Sequence, residues 1–264
     1  MADTKKAKPY FLMELESSHL EIGYDGKKIA VAERLKLSTG KLTGIIGING
    51  AGKSTLLHTL EGNLKPVTGY IKIDRKPIAH FDQTEIARKM SIVRSNSSIS
   101  GALKAGEIIS LGRQPYTDWL GRLSKVDRNS IDEAMLMLKV TDLKNRYFNQ
   151  LSDGQKQRVM IARALAQDTP FILLDEPVTH LDLYHQAMVF DILKKITQDK
   201  NKAVVFSSHQ VNELLDICDD LIVIHQREIT QKSVTNWLED DQLADLFPSG
   251  YVKFDKETKR FRLK

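Results

Sequence analysis

The residues best equipped for chemistry lie in "GINGAGKST", residues 47–55, which satisfies the pattern G-x-x-x-x-G-K-[ST]. Gly47, Asn49, Gly50, Ala51 and Gly52 form a turn able to wrap a phosphate group with consecutive backbone N–H donors. Lys53 brings a point charge to the outer phosphates. Ser54 offers a hydroxyl to Mg²⁺, and Thr55 continues into the following helix. The competing interpretation is a glycine-rich turn with a chance lysine. The flanks, a buried strand "KLTGIIG" before and a helix after, favour nucleotide binding.

A second cluster follows in the right order. In "FILLDEP", residues 171–177, an apolar strand delivers Asp175 to its carboxyl end, where open α/β sheets bind ligands. Asp175 can hold Mg²⁺ through a water. Glu176 can orient or deprotonate an attacking water. An isolated Asp-Glu pair would be a solvated turn, but behind a P-loop it points to catalysis. His209 ends the strand "AVVFSSH", which would aim its imidazole at a terminal phosphate. Tyr24, in "LEIGYDG", is either an adenine-stacking ring or a strand tyrosine packed half in and half out. Finally, "LSDGQ" places Ser152, Gly154 and Gln155 where a helix begins. The first turn of a helix carries unpaired N–H groups and the positive end of the dipole, so this is a further anion site. It has no lysine and no metal ligand, so it can complete a phosphate site but hardly build one alone.

These residues must be positioned by a scaffold. "FLMELESSHLEIGY" and "KKIAVAERLKL" suggest antiparallel strands, and "TGYIKIDRKPI" a short hairpin. Residues 104–148 are rich in helix formers, with "VDRNSIDEAMLMLKV" amphipathic. Then come a helix over 155–167, the strand "FILLD", a helix near 183–198, the strand "AVVFSS", a helix over 211–217 and the strand "LIVIH". Such alternation implies a parallel sheet. The expected fold is therefore an α/β P-loop NTPase: a mostly parallel core sheet, an antiparallel β subdomain and an inserted helical subdomain. The expected organisation is one domain over 1–264. About 10–94 and 155–230 form the core with its β subdomain, about 95–154 the helical subdomain, and about 231–264 a C-terminal extension.

Bulk properties narrow the class. The 264 residues, 41% of them hydrophobic, suffice for a real core. One cysteine, Cys218, excludes a disulfide framework and suits a reducing compartment. The longest apolar runs, such as "FILL" and "LIVI", fall far short of the roughly 20 residues a membrane span needs. Glu14 and Glu16 interrupt the apolar stretch near the N-terminus, which argues against a secretory signal. A soluble protein of the cytoplasm is expected. The net charge of +5 would suit nucleic acid or an anionic membrane, but ordinary solvated lysines account for it, and no nucleic-acid partner is expected.

Taken in order, "GINGAGKST", "LSDGQ", "FILLDEP", "THLD" and "SSH" resemble the ATP-binding subunit of an ABC transporter, over nearly the whole chain. The resemblance implies ATP and Mg²⁺ as cofactors, with Ser54 and Asp175 at the metal. It makes Tyr24 the adenine-stacking ring, Glu176 the catalytic carboxylate and His209 the switch histidine. Asp182 falls in the loop that communicates across a dimer. It also implies that two copies associate head to tail, so that Ser152, Gly154 and Gln155 meet the γ-phosphate held by the other copy's P-loop. "ARKMSIV" and "ISLGRQPYTDWLGRL" resemble the importers of iron-siderophore, haem and cobalamin, whose "GR-x-P" segment lies near the membrane partner. The implied partners are a second copy, a multi-span permease and, indirectly, a substrate-binding protein. The implied location is the cytoplasmic face of the plasma membrane.

One position departs from that pattern. The family carries a glutamine between the core and the helical subdomain; here Ser95 stands there, followed by Asn96. Gln83 and Gln114 lie too far away to substitute. Two other functions compete with a transport ATPase. A soluble ABC-type ATPase in translation or on DNA usually carries two cassettes or a coiled-coil insertion, and this chain has neither. A weakly hydrolysing regulator is favoured by Ser95 and opposed by Glu176 and His209.

Overall fold

The computed structural model describes residues 12–95, 102–179, 181–247 and 250–264. Two long strands, β1 (Glu14–Tyr24) and β2 (Lys27–Ser38), pair antiparallel, as the sequence predicts. Next come β3 (Leu42–Gly47), α1 (Lys53–Leu60), and the hairpin of β4 (Thr68–Ile73) with the two-residue β5 (Lys76–Pro77). Helix α2 (Gln83–Lys89) and strand β6 (Met90–Val93) lead to the helical segment, α3 (Ala105–Ser110) and α4 (Lys125–Met137). The remainder alternates: α5 (Asp153–Ala166), β7 (Phe171–Leu174), α6 (Leu183–Lys200), β8 (Ala203–Ser207), α7 (Val211–Ile217) and β9 (Asp220–His225). Strand β10 (Glu228–Ser233), α8 (Val234–Leu238) and the hairpin of β11 (Val252–Asp255) with β12 (Arg260–Leu263) close the chain.

Ten strands share one sheet in the order β5-β4-β1-β2-β10-β9-β3-β8-β7-β6. Strands β9, β3, β8, β7 and β6 run parallel. The antiparallel part is continuous with them rather than separate, because β10 turns back along β9 and touches β2 in parallel at Glu228 and Val31.

The parallel strands read as unbroken apolar runs because both faces are covered. Side chains alternate across the sheet. Phe171 and Leu173 join Leu56, Leu57 and Leu60 of α1 on one face. Ile172 and Leu174 join the helical segment, Ile161 of α5 and Leu193 of α6 on the other.

The "GR-x-P" segment has a structural anchor. Arg113, 4% exposed, donates from Nε to Asp127 Oδ1 at 2.8 Å and from Nη1 to the carbonyl of Ala166 at 2.9 Å. Its guanidinium lies 4.0 Å from the centre of the Tyr116 ring. Asp127 also accepts from the Ser124 hydroxyl and backbone N–H, closing a capping box at the start of α4. Burial pushes the Asp127 carboxyl up, but the bonds from Ser124 and Arg113 outweigh it and hold the pKa below the usual 3.8. Nearby, Trp119 is 90% exposed, and Leu111 and Leu120 are about half exposed. Trp237 is the opposite: fully packed, its Nε1 donates to the carbonyl of Leu221 at 3.0 Å.

Removing one partner of this pair leaves a buried charge. Arg113→Ala is expected to cost about 3–5 kcal/mol in urea unfolding. Because the folded pKa of Asp127 is depressed, its contribution is complete above the ordinary carboxylate value and is lost as pH falls through the lower folded value. The Arg113→Ala penalty should therefore shrink below about pH 3.8, measured as the wild-type-minus-variant stability against pH.

Candidate nucleotide site

Three strand ends meet at one edge of the parallel sheet. β3 runs into the P-loop, β7 into Asp175 and Glu176, and β8 into Ser207, Ser208 and His209. The loop after β3 closes on α1 through Gly52, whose φ of 110° lies in the left-handed region. A Cβ there would also sit 2.9 Å from Ile29 Cγ2. Both conditions call for glycine.

Lys53, 6% exposed, donates from Nζ to the carbonyls of Gly47 at 3.0 Å and Ile48 at 3.4 Å. Burial lowers its pKa, and the carboxylates of Glu176 and Asp175 partly restore it. The ammonium is thus held between loop carbonyls and two acidic residues. Ser54 is exposed at the first turn of α1, and Thr55 Oγ1 lies 3.5 Å from the Tyr24 hydroxyl. Tyr24 itself is 47% exposed at the end of β1.

Asp175 is 6% exposed and held on both oxygens. Ser207 Oγ donates to Oδ1 at 2.7 Å, and Ser95 Oγ reaches Oδ2 at 3.4 Å. Asp175 N–H donates to the carbonyl of Val93 at 2.8 Å. Glu176 follows in the left-handed region, with φ of 52°, a conformation that non-glycine residues adopt at a cost. Its N–H donates to Ser207 Oγ at 2.9 Å. Its Oε1 lies 2.5 Å from His209 Nε2, and its Oε2 accepts from Thr179 Oγ1 at 3.2 Å. Ser207 thus fixes two neighbouring acidic residues with one hydroxyl, a role the sequence reading missed. A polar pair, "SS", closing an apolar strand was the available signal.

The oxygen-only donor set suits Mg²⁺, which favours carboxylate, hydroxyl, water and phosphate oxygens. Among the described residues no group of three or more His, Cys, Asp or Glu could hold a metal ion by itself.

The "LSDGQ" helix start lies apart from these residues in the chain. Ser152 caps α5, Gln155 N–H donating to its Oγ at 3.4 Å, while Gln155 Oε1 accepts from Ser152 N–H at 3.1 Å. Asp182 caps α6 by accepting from His185 N–H at 2.9 Å. That backbone bond and the His185 ring hold the Asp182 carboxyl below its ordinary value. Ser95 lies beside Asp175, as above; Asn96 lies outside the described residues.

The family model described as ABC transporter matches residues 33–179. This chain belongs to the ABC transporter ATP-binding family. It is 35% identical to a petrobactin import ATP-binding protein of Bacillus anthracis, over 88% of this chain and 86% of that one. It is 34% identical to the ferric enterobactin transport ATP-binding protein of Escherichia coli, over 81% and 79%. A structure described as an inward-facing metal-chelate type ABC transporter matches with a TM-score of 0.76 and 29% identity, over 89% of each chain. The fold alone is also shared with a nucleotide-free ATP-binding cassette, TM-score 0.78 at 20% identity. This ABC protein is therefore an ATP-binding subunit whose ATPase activity is coupled to transport, and among its described residues no helix is long and apolar enough to cross a membrane.

The Ser207 geometry yields a test. Ser207→Ala leaves the Glu176 N–H without its acceptor and Asp175 without its closest donor, and is expected to cost about 1–3 kcal/mol in chemical denaturation. Ser208→Ala should cost less, because Ser208 Oγ accepts only a local turn bond from Gln210 N–H.

Proposed function

We propose that this subunit powers an importer of iron-siderophore or cobalamin type, by ATP-driven head-to-tail closure of two copies beneath a membrane permease. The observation that carries the cargo class is the run of similar relatives named for petrobactin and cobalamin import and for achromobactin and ferric enterobactin transport. The exposed Trp119, Leu120 and Leu111 beside the anchored "GR-x-P" segment support a protein partner on that side.

ATP would take the place of the loop carbonyls around Lys53, with the P-loop N–H groups of residues 47–55 around its phosphates and Tyr24 stacked on its base. Ser54 and Asp175 would hold Mg²⁺ alongside phosphate and water, and the ion would supply screening of the phosphate charge. Glu176 takes a proton from the attacking water. A new P–O bond forms at the γ-phosphorus as the bond to the β,γ-bridging oxygen breaks, giving ADP and phosphate. His209, whose Nε2 lies 2.5 Å from Glu176 Oε1, would orient that carboxylate and hydrogen-bond the γ-phosphate. Ser152, Gly154 and Gln155 would complete the same phosphate site from the second copy, with Asp182 next to them. Loss of the γ-phosphate removes the contact that holds the copies together, so hydrolysis opens the dimer. The subunit would then work at the cytoplasmic face of the membrane, attached through its permease, with a substrate-binding protein on the far side.

Two experiments test this reading. Glu176→Gln should bind ATP as the parent does but lose about a hundredfold or more in kcat, because an amide cannot accept the proton; turnover near the parent's would remove Glu176 from the mechanism. Ser95 supports a slow basal rate, since its hydroxyl reaches Asp175 and is too short to extend past it. Ser95→Gln should raise basal hydrolysis at saturating Mg-ATP. An unchanged rate there, with a collapse in Asn96→Ala, would assign the role to Asn96 instead.

A further inference from the structure

His185 stands on the first turn of α6 and is absorbed by none of the roles above. Its Nδ1 lies 2.8 Å from Asp182 Oδ1 and 2.9 Å from Oδ2, so the ring is clamped edge-on to both carboxylate oxygens. The Cγ–Cδ2 side of the ring lies against the start of α5. A Cβ built on Gly154 would sit 3.1 Å from His185 Cδ2 and 3.3 Å from Cγ. Tyr184 packs edge-on to the same ring at 5.5 Å. The imidazole is therefore a strut between Asp182 and Gly154, the two loops whose residues would face the second copy.

Local structure does not require this. The backbone N–H of His185 already caps α6 by bonding Asp182, and that bond survives loss of the ring. Gly154 is buried beneath the imidazole, although the helix would accept alanine more readily than glycine there on backbone grounds. The absence of a Cβ lets the ring approach the helix backbone closely. A planar ring hydrogen-bonded to two carboxylate oxygens and seated against a glycine links the two loops through direct contacts.

We infer that His185 is a positioning residue that couples the Asp182 loop to the Ser152–Gly154 helix start, so that both move onto the partner's nucleotide as one unit. The inference rests on the proposed head-to-tail dimer. Asp182 responds to the partner through its carboxylate, and His185 passes that response to the N–H groups at the start of α5. The ring has none of the nucleotide-binding roles proposed above, so its effect falls on dimer closure and not on nucleotide binding by the single subunit.

The test uses the full chain carrying Glu176→Gln, with dimer formation followed by light scattering against Mg-ATP concentration. If this parent fails to dimerise, the proposed function fails, whatever His185 does. With the parent dimerising, His185→Ala should raise the ATP concentration for half-dimerisation by about tenfold, the scale of a coupled contact. Its monomer should keep the parent's affinity for a fluorescent ATP analogue, a readout that general unfolding would spoil. Gly154→Ala approaches the same contact from the other side, pressing a methyl group into the ring, and should also raise that concentration. Combined with His185→Ala, its penalty should be smaller than in the parent, because the clash is gone. Half-dimerisation within twofold of the parent for His185→Ala, or strictly additive losses in the double variant, would overturn the inference.

Discussion

The site depends on the register in which β8 lies between β3 and β7. Gly44 pairs with Phe206 and Ile45 with Ser207, while Leu174 pairs with Phe206 on the other side. That alignment brings the end of β7 level with Ser207, so a single hydroxyl reaches both the Asp175 carboxylate and the Glu176 N–H. A slip of one residue would turn Ser207 to the opposite face and bring Phe206 or Ser208 to its place beside the two acids. The alternation of Val204 and Phe206 to one core, and Ala203 and Val205 to the other, resists that slip. Packing on both faces thus sets the chemistry at the edge.

Around this fixed edge the structure holds its charges by unequal means. Lys53 is buried and relies on loop carbonyls and two nearby carboxylates. Arg113 is buried and answered by Asp127 and the carbonyl end of α5, a favourable place for a cation. In the proposed mechanism the first arrangement is exchanged for phosphate; the second ties the helical segment to α5. Both ends of α5 are thereby engaged, the last turn by Arg113 and the first by the ring of His185.

Much of this was legible in the sequence, for reasons that are local. The strand–turn–helix of the P-loop pattern, the apolar strand before Asp175 and the serine cap before α5 each sit within a few consecutive residues, and the alternation of strands and helices points to the parallel sheet. The antiparallel hairpins showed in their alternation. What escaped is what depends on lateral neighbours. Ser207 acquires its role only through pairing with β3 and β7, and His185 only because the Gly154 turn comes against it. Strand β6 is four residues long and follows directly on α2. Strand β10 is largely polar, "EITQKS", and only Ile229 faces the core, so its place between β9 and β2 left almost no hydrophobic signature.

The two tryptophans sit at opposite extremes of the molecule's surroundings, Trp119 almost entirely in water and Trp237 sealed with its indole N–H bonded to a strand carbonyl. The chain therefore carries two separable intrinsic fluorophores. Trp119 emits at long wavelength and is open to iodide quenching, so it reports whatever covers the helical segment. Trp237 emits from a shielded site and reports the integrity of β9 and α8. A blue shift in the quenchable component alone would register docking at the surface while the interior signal serves as its reference.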